Sequence, residues 1–303
     1  MVSFNLMVAP YILYVLVSGA LLYGGAQVLS RLLPLPPRTK MLLYAGVLIL
    51  PVVTYTYYLR HMSADCDMLA NPEALRICSL AYRYSDILTP LTLLLLVVYA
   101  LWRAWQVLAS PVRRSRISTD SALVTRVRSI LQEWGYHDKV AIGIIDSHYP
   151  TAFVRGFFRP ELVLSRGMLD LLPDEALRSV LAHEVSHLEG GDNVYNLVLL
   201  LREVAFFSPF AHLAYQGYTE ECELAADMAA GKRSDKLALA SAILKVTQRG
   251  QELYRFAWQH SYLVGRASVS LRVHSLLREG QVYSALPPWL ALSLLATLVL
   301  ALC

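Results

Sequence analysis

The chain has 303 residues, of which 56% are hydrophobic and 17% are charged, and its net charge is +4. A soluble domain carries about 25% charged residues. The composition therefore excludes a wholly soluble protein and predicts that part of the chain lies in lipid. The 4 cysteines have no CxxC spacing, which argues against a structural zinc–cysteine site.

Long apolar runs predict four membrane-spanning helices. Residues 1–30 contain no charged residue, which is enough for one span of about 20 residues. This run lacks the basic start and the cleavage site of a signal peptide, so we interpret it as a retained anchor. The other runs cover residues 41–59, 87–102 and 282–303.

The charges between these runs predict the orientation. The connection at 31–40 is basic, the connection at 60–86 is slightly acidic, and the stretch after 102 is strongly basic. The positive-inside rule then places residues 60–86 and both termini outside and residues 104–281 in the cytoplasm. We interpret the basic residues at 113–128 as facing anionic headgroups of the lipid bilayer, and nucleic-acid binding is not expected.

This organisation predicts a multi-pass protein of the cell (inner or plasma) membrane. Residues 1–105 form a three-helix transmembrane region, residues 106–280 a cytoplasmic domain, and residues 281–303 a C-terminal transmembrane helix. Cys66 and Cys78 both fall in the outer connection, where a disulfide persists if the geometry permits one. Residues 194–210 are apolar but interrupted by two charges, so they form either a helix dipping into the cytoplasmic face of the membrane or a core helix.

The cytoplasmic part combines helices with a small sheet. Apolar residues recur at helical spacing over residues 121–134, and Gly135 ends this helix. Strands are predicted at 140–145 and 161–165, and a strand or turn at 151–156. An exposed edge of such a sheet can add a substrate peptide as an extra strand, or the sheet can simply cover a core.

Residues 182–188 contain the sequence HExxH, and its histidines lie one helical turn apart. On a helix, His183 and His187 point to the same side and can share one metal ion, while Glu184 reaches the attacking water. Zinc suits two neutral imidazoles and keeps a position open for water. The helix is predicted to start at Pro173-Asp174-Glu175 and to stop at Gly190-Gly191, and a motif on so well delimited a helix is less often accidental.

A catalytic zinc site needs a third protein ligand. The class of sites that continues HxxGxxH is disfavoured, because Asn193 stands where the third histidine is required. The alternative is a glutamate from a helix predicted at 218–231. There Glu223 and Asp227 share one face, so Glu223 binds zinc and Asp227 orients a ligand histidine, whereas Glu220 and Glu221 have no acid four residues later and are interpreted as solvated. Cys222 is interpreted as an inert cysteine rather than a thiolate that blocks the zinc.

Several segments together resemble the integral-membrane gluzincins. Pro150-Thr151-Ala152-Phe153, Leu162–Gly167, Leu177–His187 and Asp192-Asn193 are similar to the CAAX prenyl protease and heat-shock membrane protease family. The runs at 158–164 and 207–210 are more similar to the related β-lactam sensor-transducers that cleave a repressor. Thr151 departs from the asparagine usual in the first family. The sensor family has an extracellular ligand-binding domain after its last span, so we expect no β-lactam sensing of that kind here.

The resemblance implies a mainly α membrane protein with a cytoplasmic α+β gluzincin domain that acts as a zinc metalloendopeptidase (Zn²⁺ cofactor). It implies that Arg272 stabilises the transition state, with His260 as the other candidate. The expected substrate is a peptide or protein in or near the membrane. A signalling protease that cleaves a cytoplasmic regulator remains an alternative, as does a non-catalytic zinc-bound scaffold, and no oligomeric state is predicted.

Overall fold

The computed structural model describes residues 2–67, 117–118, 121–136, 140–155, 160–192, 205–254, 269–278 and 286–300, together with some isolated positions. Its helices, in chain order, are α1 (Val2–Leu32), α2 (Pro37–Asp67), α3 (Ser121–Glu133), α4 (Arg166–Leu171), α5 (Asp174–Gly190), α6 (Pro209–Arg233), α7 (Lys236–Tyr254), α8 (Val269–Leu277) and α9 (Pro288–Leu300). Its strands are β1 (Ile117–Ser118), β2 (Ala141–Ile145), β3 (Ala152–Arg155) and β4 (Glu161–Ser165). The described chain is therefore mostly helical with one small sheet.

The chain forms two compact units. The first contains Met1–Ala109, Val198–Tyr218 and Val282–Cys303, and the second contains Ser110–Leu197 and Thr219–Gln281. In the first unit, two helical stretches are long and apolar enough to cross a membrane, Tyr11–Leu32 and Pro37–Tyr55. They correspond to the first two predicted spans.

The other predicted spans differ from these two. The described part of the fourth is the shorter apolar helix Pro288–Val299, which starts six residues later than predicted because the pair Pro287-Pro288 suits a helix start and disfavours helix before it. Of the predicted third span, residues 87–102, the structure describes only the positions 91, 94, 95, 98, 99, 101 and 102, and these are helical. The side chains of Cys66 and Cys78 lie outside the described residues. So does most of 194–210, of which 205–207 form a turn. Residues 60–67, predicted as loop, continue α2.

Two glycines allow α9 to pack closely on α1 and α2. A Cβ added to Gly25 would lie 2.8 Å from Leu298 Cδ1, and one added to Gly46 would lie 2.8 Å from Leu292 Cδ1. Small residues at such contacts are typical of helix packing in membranes, where close van der Waals approach replaces the hydrophobic effect. A buried hydrogen bond also joins α1 to α2, in which the Tyr14 hydroxyl donates to Thr54 Oγ1 at 2.7 Å.

The second unit is built on a four-stranded sheet with the order β1-β2-β4-β3. Strands β2 and β4 are parallel, and β1 and β3 pair antiparallel with β2 and β4. The three strands predicted from the sequence are confirmed, and β4 has the predicted limits. Strand β1 was not predicted. Residues Leu162, Val163 and Leu164 of β4 are fully buried, so β4 is the central strand of the core.

Helices α3, α4 and α5 share this core with the sheet. Buried members include Val127, Leu131, Ile144, Leu164, Met168, Leu177, Leu181 and Val185. The helix predicted over 121–134 is confirmed as α3. Its end at Gly135 is also confirmed, since the Gly135 N–H donates to Gln132 O and the Tyr136 N–H to Leu131 O, the hydrogen bonds of a Schellman motif.

One residue of the basic stretch has a partner inside the second unit. Arg126 donates from Nε and Nη2 to Asp174 Oδ1, at 2.8 and 2.6 Å. It also donates to the backbone oxygens of Leu169 and Leu172, at 3.0 and 3.3 Å. This guanidinium therefore joins the end of α4 to the start of α5, and the prediction that the basic stretch faces headgroups stays a prediction.

We expect Arg126→Ala to lower the stability of the second unit by about 1–2 kcal/mol, because it removes charge-assisted hydrogen bonds to a carboxylate and to helix-end carbonyls. The measurement is the Tm of the full chain in detergent. Arg128→Ala is the matched control, since Arg128 is exposed on the same helix. Equal Tm values for the two variants would show that Arg126 does not hold the helix ends together.

Candidate metal centre

Helix α5 carries the HExxH sequence and has the predicted limits. It runs from Asp174 to Gly190, and Pro173 is its N-cap residue rather than part of its first turn. At the other end Gly191 has φ of 69°, and its N–H donates to the oxygens of His187 and Leu188. A positive φ favours glycine, so Gly191 gives the helix a defined stop one turn after His187.

The two histidines of the motif face each other. His183 Nε2 lies 3.1 Å from His187 Nε2, and the ring planes are nearly perpendicular at 88°. Their side chains are only 9% and 16% exposed. Spacing of four residues on one helix thus brings two imidazole nitrogens to one point, as predicted.

Helix α6 brings the third predicted ligand to the same point. Glu223 Oε2 lies 3.5 Å from His183 Nε2, and Glu223 Oε1 lies 3.8 Å from His187 Nε2. One donor atom from each of the three residues falls within 4.8 Å of the others. His183, His187 and Glu223 therefore converge as the spacing predicts.

Helix α6 itself begins nine residues earlier than predicted. It starts at Pro209 rather than Tyr218. The Ala211 N–H donates to Ser208 Oγ at 3.4 Å, and the His212 N–H donates to Ser208 O at 3.3 Å. Serine followed by proline is a favourable helix start, a signal that the sequence analysis did not use.

Each histidine has a carboxylate on its other ring nitrogen. Asp227 is buried, and its Oδ1 lies 2.9 Å from His183 Nδ1. This contact is an ion pair when His183 is protonated. Asp192 Oδ2 lies 2.6 Å from His187 Nδ1. Asp192 was not predicted as a site residue. Its place directly after the Gly190-Gly191 stop was nevertheless a signal that it lies close to His187.

Arg272 lies against the carboxylates of this centre. It donates from Nε and Nη2 to the two oxygens of Asp227, each at 2.7 Å. Its Nη1 lies 2.9 Å from Glu223 Oε2. The guanidinium thus contacts two acidic side chains of α6. Its predicted action on the transition state stays a prediction. His260, the other candidate, lies outside the described residues.

The surroundings of the site favour positive charge at His183. Burial opposes protonation of His183, but Asp227 and Glu223 outweigh it and raise its pKa to about 10. Burial also opposes ionisation of Glu223, yet His183 and Arg272 hold the pKa of its carboxyl well below the usual range. Positive charge at His183 and at Arg272 therefore stabilises the carboxylates of Asp227 and Glu223.

Glu184 differs from the other acids of the site. It is buried, and burial is the main cause of a raised pKa, with the charge of Glu223 adding to it and His183 and His187 opposing it. A carboxylate with a raised pKa can accept and then give up a proton near neutral pH. Glu184 therefore has the chemical character of a general base.

The donor set fits a zinc ion. Two imidazole nitrogens and one carboxylate are a ligand set of catalytic zinc, which leaves a further position open, and the outer carboxylates Asp227 and Asp192 match the partners that orient ligand histidines. Glu220 and Glu221 were interpreted as solvated. Glu220 is half-buried instead, and burial raises its pKa. Glu221 is also half-buried.

Comparison with known proteins gives one match by sequence and others by structure. The model of the family described as BlaR1 peptidase M56 matches residues 32–276. A search of curated proteins finds no match. The crystal structure of S. mikatae Ste24p is similar, with a TM-score of 0.39 and 14% sequence identity. The match covers 75% of this chain and 61% of the Ste24p chain.

Proposed function

The chain belongs to the BlaR1 peptidase M56 family, and from this premise we propose that it is a membrane-embedded zinc endopeptidase that cleaves membrane or membrane-proximal proteins. The observation that carries the proposal is the convergence of His183, His187 and Glu223 within 4.8 Å, with the buried Glu184 beside them on the same helix. Membership of a peptidase family supports a metalloprotease with a protein substrate. Zinc, the endopeptidase activity and the roles of these residues are our proposal.

In the proposed mechanism His183, His187 and Glu223 would hold the zinc. An ion held there would supply Lewis-acid chemistry, which polarises a scissile carbonyl and makes water a stronger nucleophile. Glu184 takes the proton of the attacking water and passes it to the leaving amine. Asp192 accepts the Nδ1–H of His187 and keeps Nε2 free for the metal. The negative charge of Asp227, next to His183 Nδ1, stabilises positive charge at the site.

The sheet supports a way to hold the substrate. In the described sheet β1 and β3 are the edge strands, and β3 packs against α5. We propose that an extended substrate segment pairs with β3 through backbone hydrogen bonds, which are independent of side chains and so tolerate many sequences. On this proposal a substrate has to be extended near the cleavage site.

We also propose the topology, with residues 104–281 in the cytoplasm of the cell and residues 60–86 outside. The domain limits 1–105, 106–280 and 281–303 belong to the same proposal. Single-cysteine variants test it in intact cells with a membrane-impermeant maleimide. Cys66 is expected to be labelled before lysis, and an Arg38→Cys variant, whose exposed position lies in the 31–40 connection, only after lysis. The reverse pattern would refute the orientation.

The metal site is tested by Glu223→Gln. We expect this change to weaken zinc binding by at least about 10-fold, because even outer partners of zinc ligands contribute 10- to 100-fold. Zinc per chain is measured by mass spectrometry after dialysis against a graded chelator, and cleavage of β-casein, an unfolded protein, is measured in parallel.

The matched control for that experiment is Glu220→Gln, one turn away on α6 and outside the ligand set. It is expected to keep its zinc and its cleavage activity. If Glu220→Gln loses zinc and Glu223→Gln does not, the third ligand is wrongly assigned. If both keep zinc, a carboxylate of α6 is not needed at all.

A further inference from the structure

A second group of possible metal ligands lies on the other side of His187. One donor atom each from His187, Asp192 and Cys222 falls within 4.8 Å of the others. His187 turns Nε2 toward His183, at 3.1 Å, and Nδ1 toward Asp192, at 2.6 Å. The ring therefore lies between His183 and Asp192. As a neutral imidazole it can be a metal ligand in only one of the two groups at a time.

The chemistry of this second group differs from that of the first. It contains a cysteine sulfur, a ligand that selects thiophilic ions such as Zn²⁺ and Cd²⁺, whereas the first group offers only nitrogen and oxygen. Cys222 is half-buried, and the Asp192 side chain is 12% exposed, so a small ion can reach them. The group also lies at the C-terminal end of α5, where the helix carbonyls favour a cation.

We propose that His187, Asp192 and Cys222 form a second, inhibitory position for a thiophilic divalent cation. The inhibitory effect rests on the proposed function, whereas the binding does not. When the ion binds, a metal–sulfur bond replaces the S–H bond of Cys222, a metal–nitrogen bond replaces the Nδ1–H bond of His187, and both protons pass to the solvent. Asp192 then binds the ion instead of accepting the Nδ1–H of His187.

Two consequences follow from the shared histidine. Asp192 bound to the ion no longer orients the ring of His187 for the first group, and the removal of such partners weakens metal sites by about 10- to 100-fold. Binding of one imidazole to two ions through both nitrogens requires loss of its last N–H proton. The two positions are therefore antagonistic, and excess cation inhibits.

The binding test uses the full chain in detergent, loaded with one equivalent of zinc. One protein keeps Cys222 and has Cys66, Cys78 and Cys303 replaced by serine; its partner also carries Cys222→Ser. Cd²⁺ is titrated, and the ultraviolet thiolate-to-cadmium absorption is followed, which the sulfur-free first group cannot produce. We expect a saturable band at one Cd²⁺ per chain in the first protein and none in the second.

Asp192→Asn in the Cys222-only protein separates a built site from a lone thiol. We expect it to raise the Cd²⁺ concentration at half-saturation about 10-fold. An unchanged titration, or no band at all, would overturn the proposal. Should the three serine replacements unfold the chain, the same comparison is made between the natural sequence and Cys222→Ser alone, by difference spectra.

Inhibition is measured separately on β-casein cleavage. We expect Cys222→Ser to raise the Cd²⁺ concentration for half-inhibition about 10-fold relative to its own uninhibited rate. Equal inhibition of both proteins would show that the second position has no inhibitory role. If neither protein cleaves casein, the peptidase proposal fails, while the absorption titration still decides whether the second cation position exists.

Discussion

Replacement of Glu184 by glutamine is expected to lower kcat/KM for casein cleavage by about 100- to 10,000-fold, the usual contribution of a general base. The side chain keeps its size, and glutamine is neutral, so the buried site loses a proton acceptor without gaining a void. The three proposed ligands His183, His187 and Glu223 are unchanged, so zinc per chain should stay the same. A large rate loss with normal zinc content is the combination that identifies a catalytic base.

The control for this experiment is Glu175→Gln. Glu175 lies on the same helix α5, but in its exposed first turn, and its replacement should leave cleavage unchanged. If Glu184→Gln cleaves casein as fast as the natural chain, the proposed mechanism is wrong. If neither protein cleaves and both hold zinc, the non-catalytic scaffold becomes the better interpretation.

The parts of the site that could be predicted from the sequence are those set by local rules. The face shared by His183 and His187 follows from helix periodicity alone. The end of α5 at Gly190 follows from a glycine that accepts positive φ, and the limits of β4 follow from a short apolar run bounded by a proline and a glycine. These features depend on residues within one turn or one strand of each other.

The parts that could not be predicted depend on distant partners. Strand β1 has two residues in a basic stretch, and only its pairing with Ile144 and Ile145 defines it. Arg126 was assigned to the membrane by its charge, whereas its partner Asp174 lies 48 residues away. Net charge along the chain predicts a potential, but it does not reveal which single residue is bound within the domain.

The same limit applies to the carboxylates of the metal centre. Glu223 and Asp227 were predicted together because they are one turn apart on α6. Asp192 follows the helix stop, so no periodicity relates it to His187, yet it makes the shorter contact at 2.6 Å. Each histidine consequently has an acidic partner of different origin, one from a neighbouring helix and one from its own helix end.

Arg272 connects these acidic residues, and its replacement is expected to be the most destabilising single change at the site. In Arg272→Met, Asp227 and Glu223 keep their buried negative charges and lose the cation that lies 2.7 and 2.9 Å away. Removal of one partner from a buried ion pair costs about 3–5 kcal/mol. The measurement is the Tm of the zinc-loaded chain in detergent, with Arg278→Met, at an exposed position just after α8, as the control.

The same variant separates two roles for this arginine. If Arg272 positions the carboxylates, Arg272→Met loses both Tm and zinc, and adding Asp227→Asn recovers part of the Tm, because the unpaired charge is then removed. If it acts on the transition state, as the sequence resemblance implies, kcat falls while Tm and zinc content stay normal. Arg272→Lys sharpens the comparison, because lysine keeps the charge but cannot span both acids with a planar fork. The bidentate contact with Asp227 leads us to expect the first outcome, with Arg272→Lys intermediate in Tm.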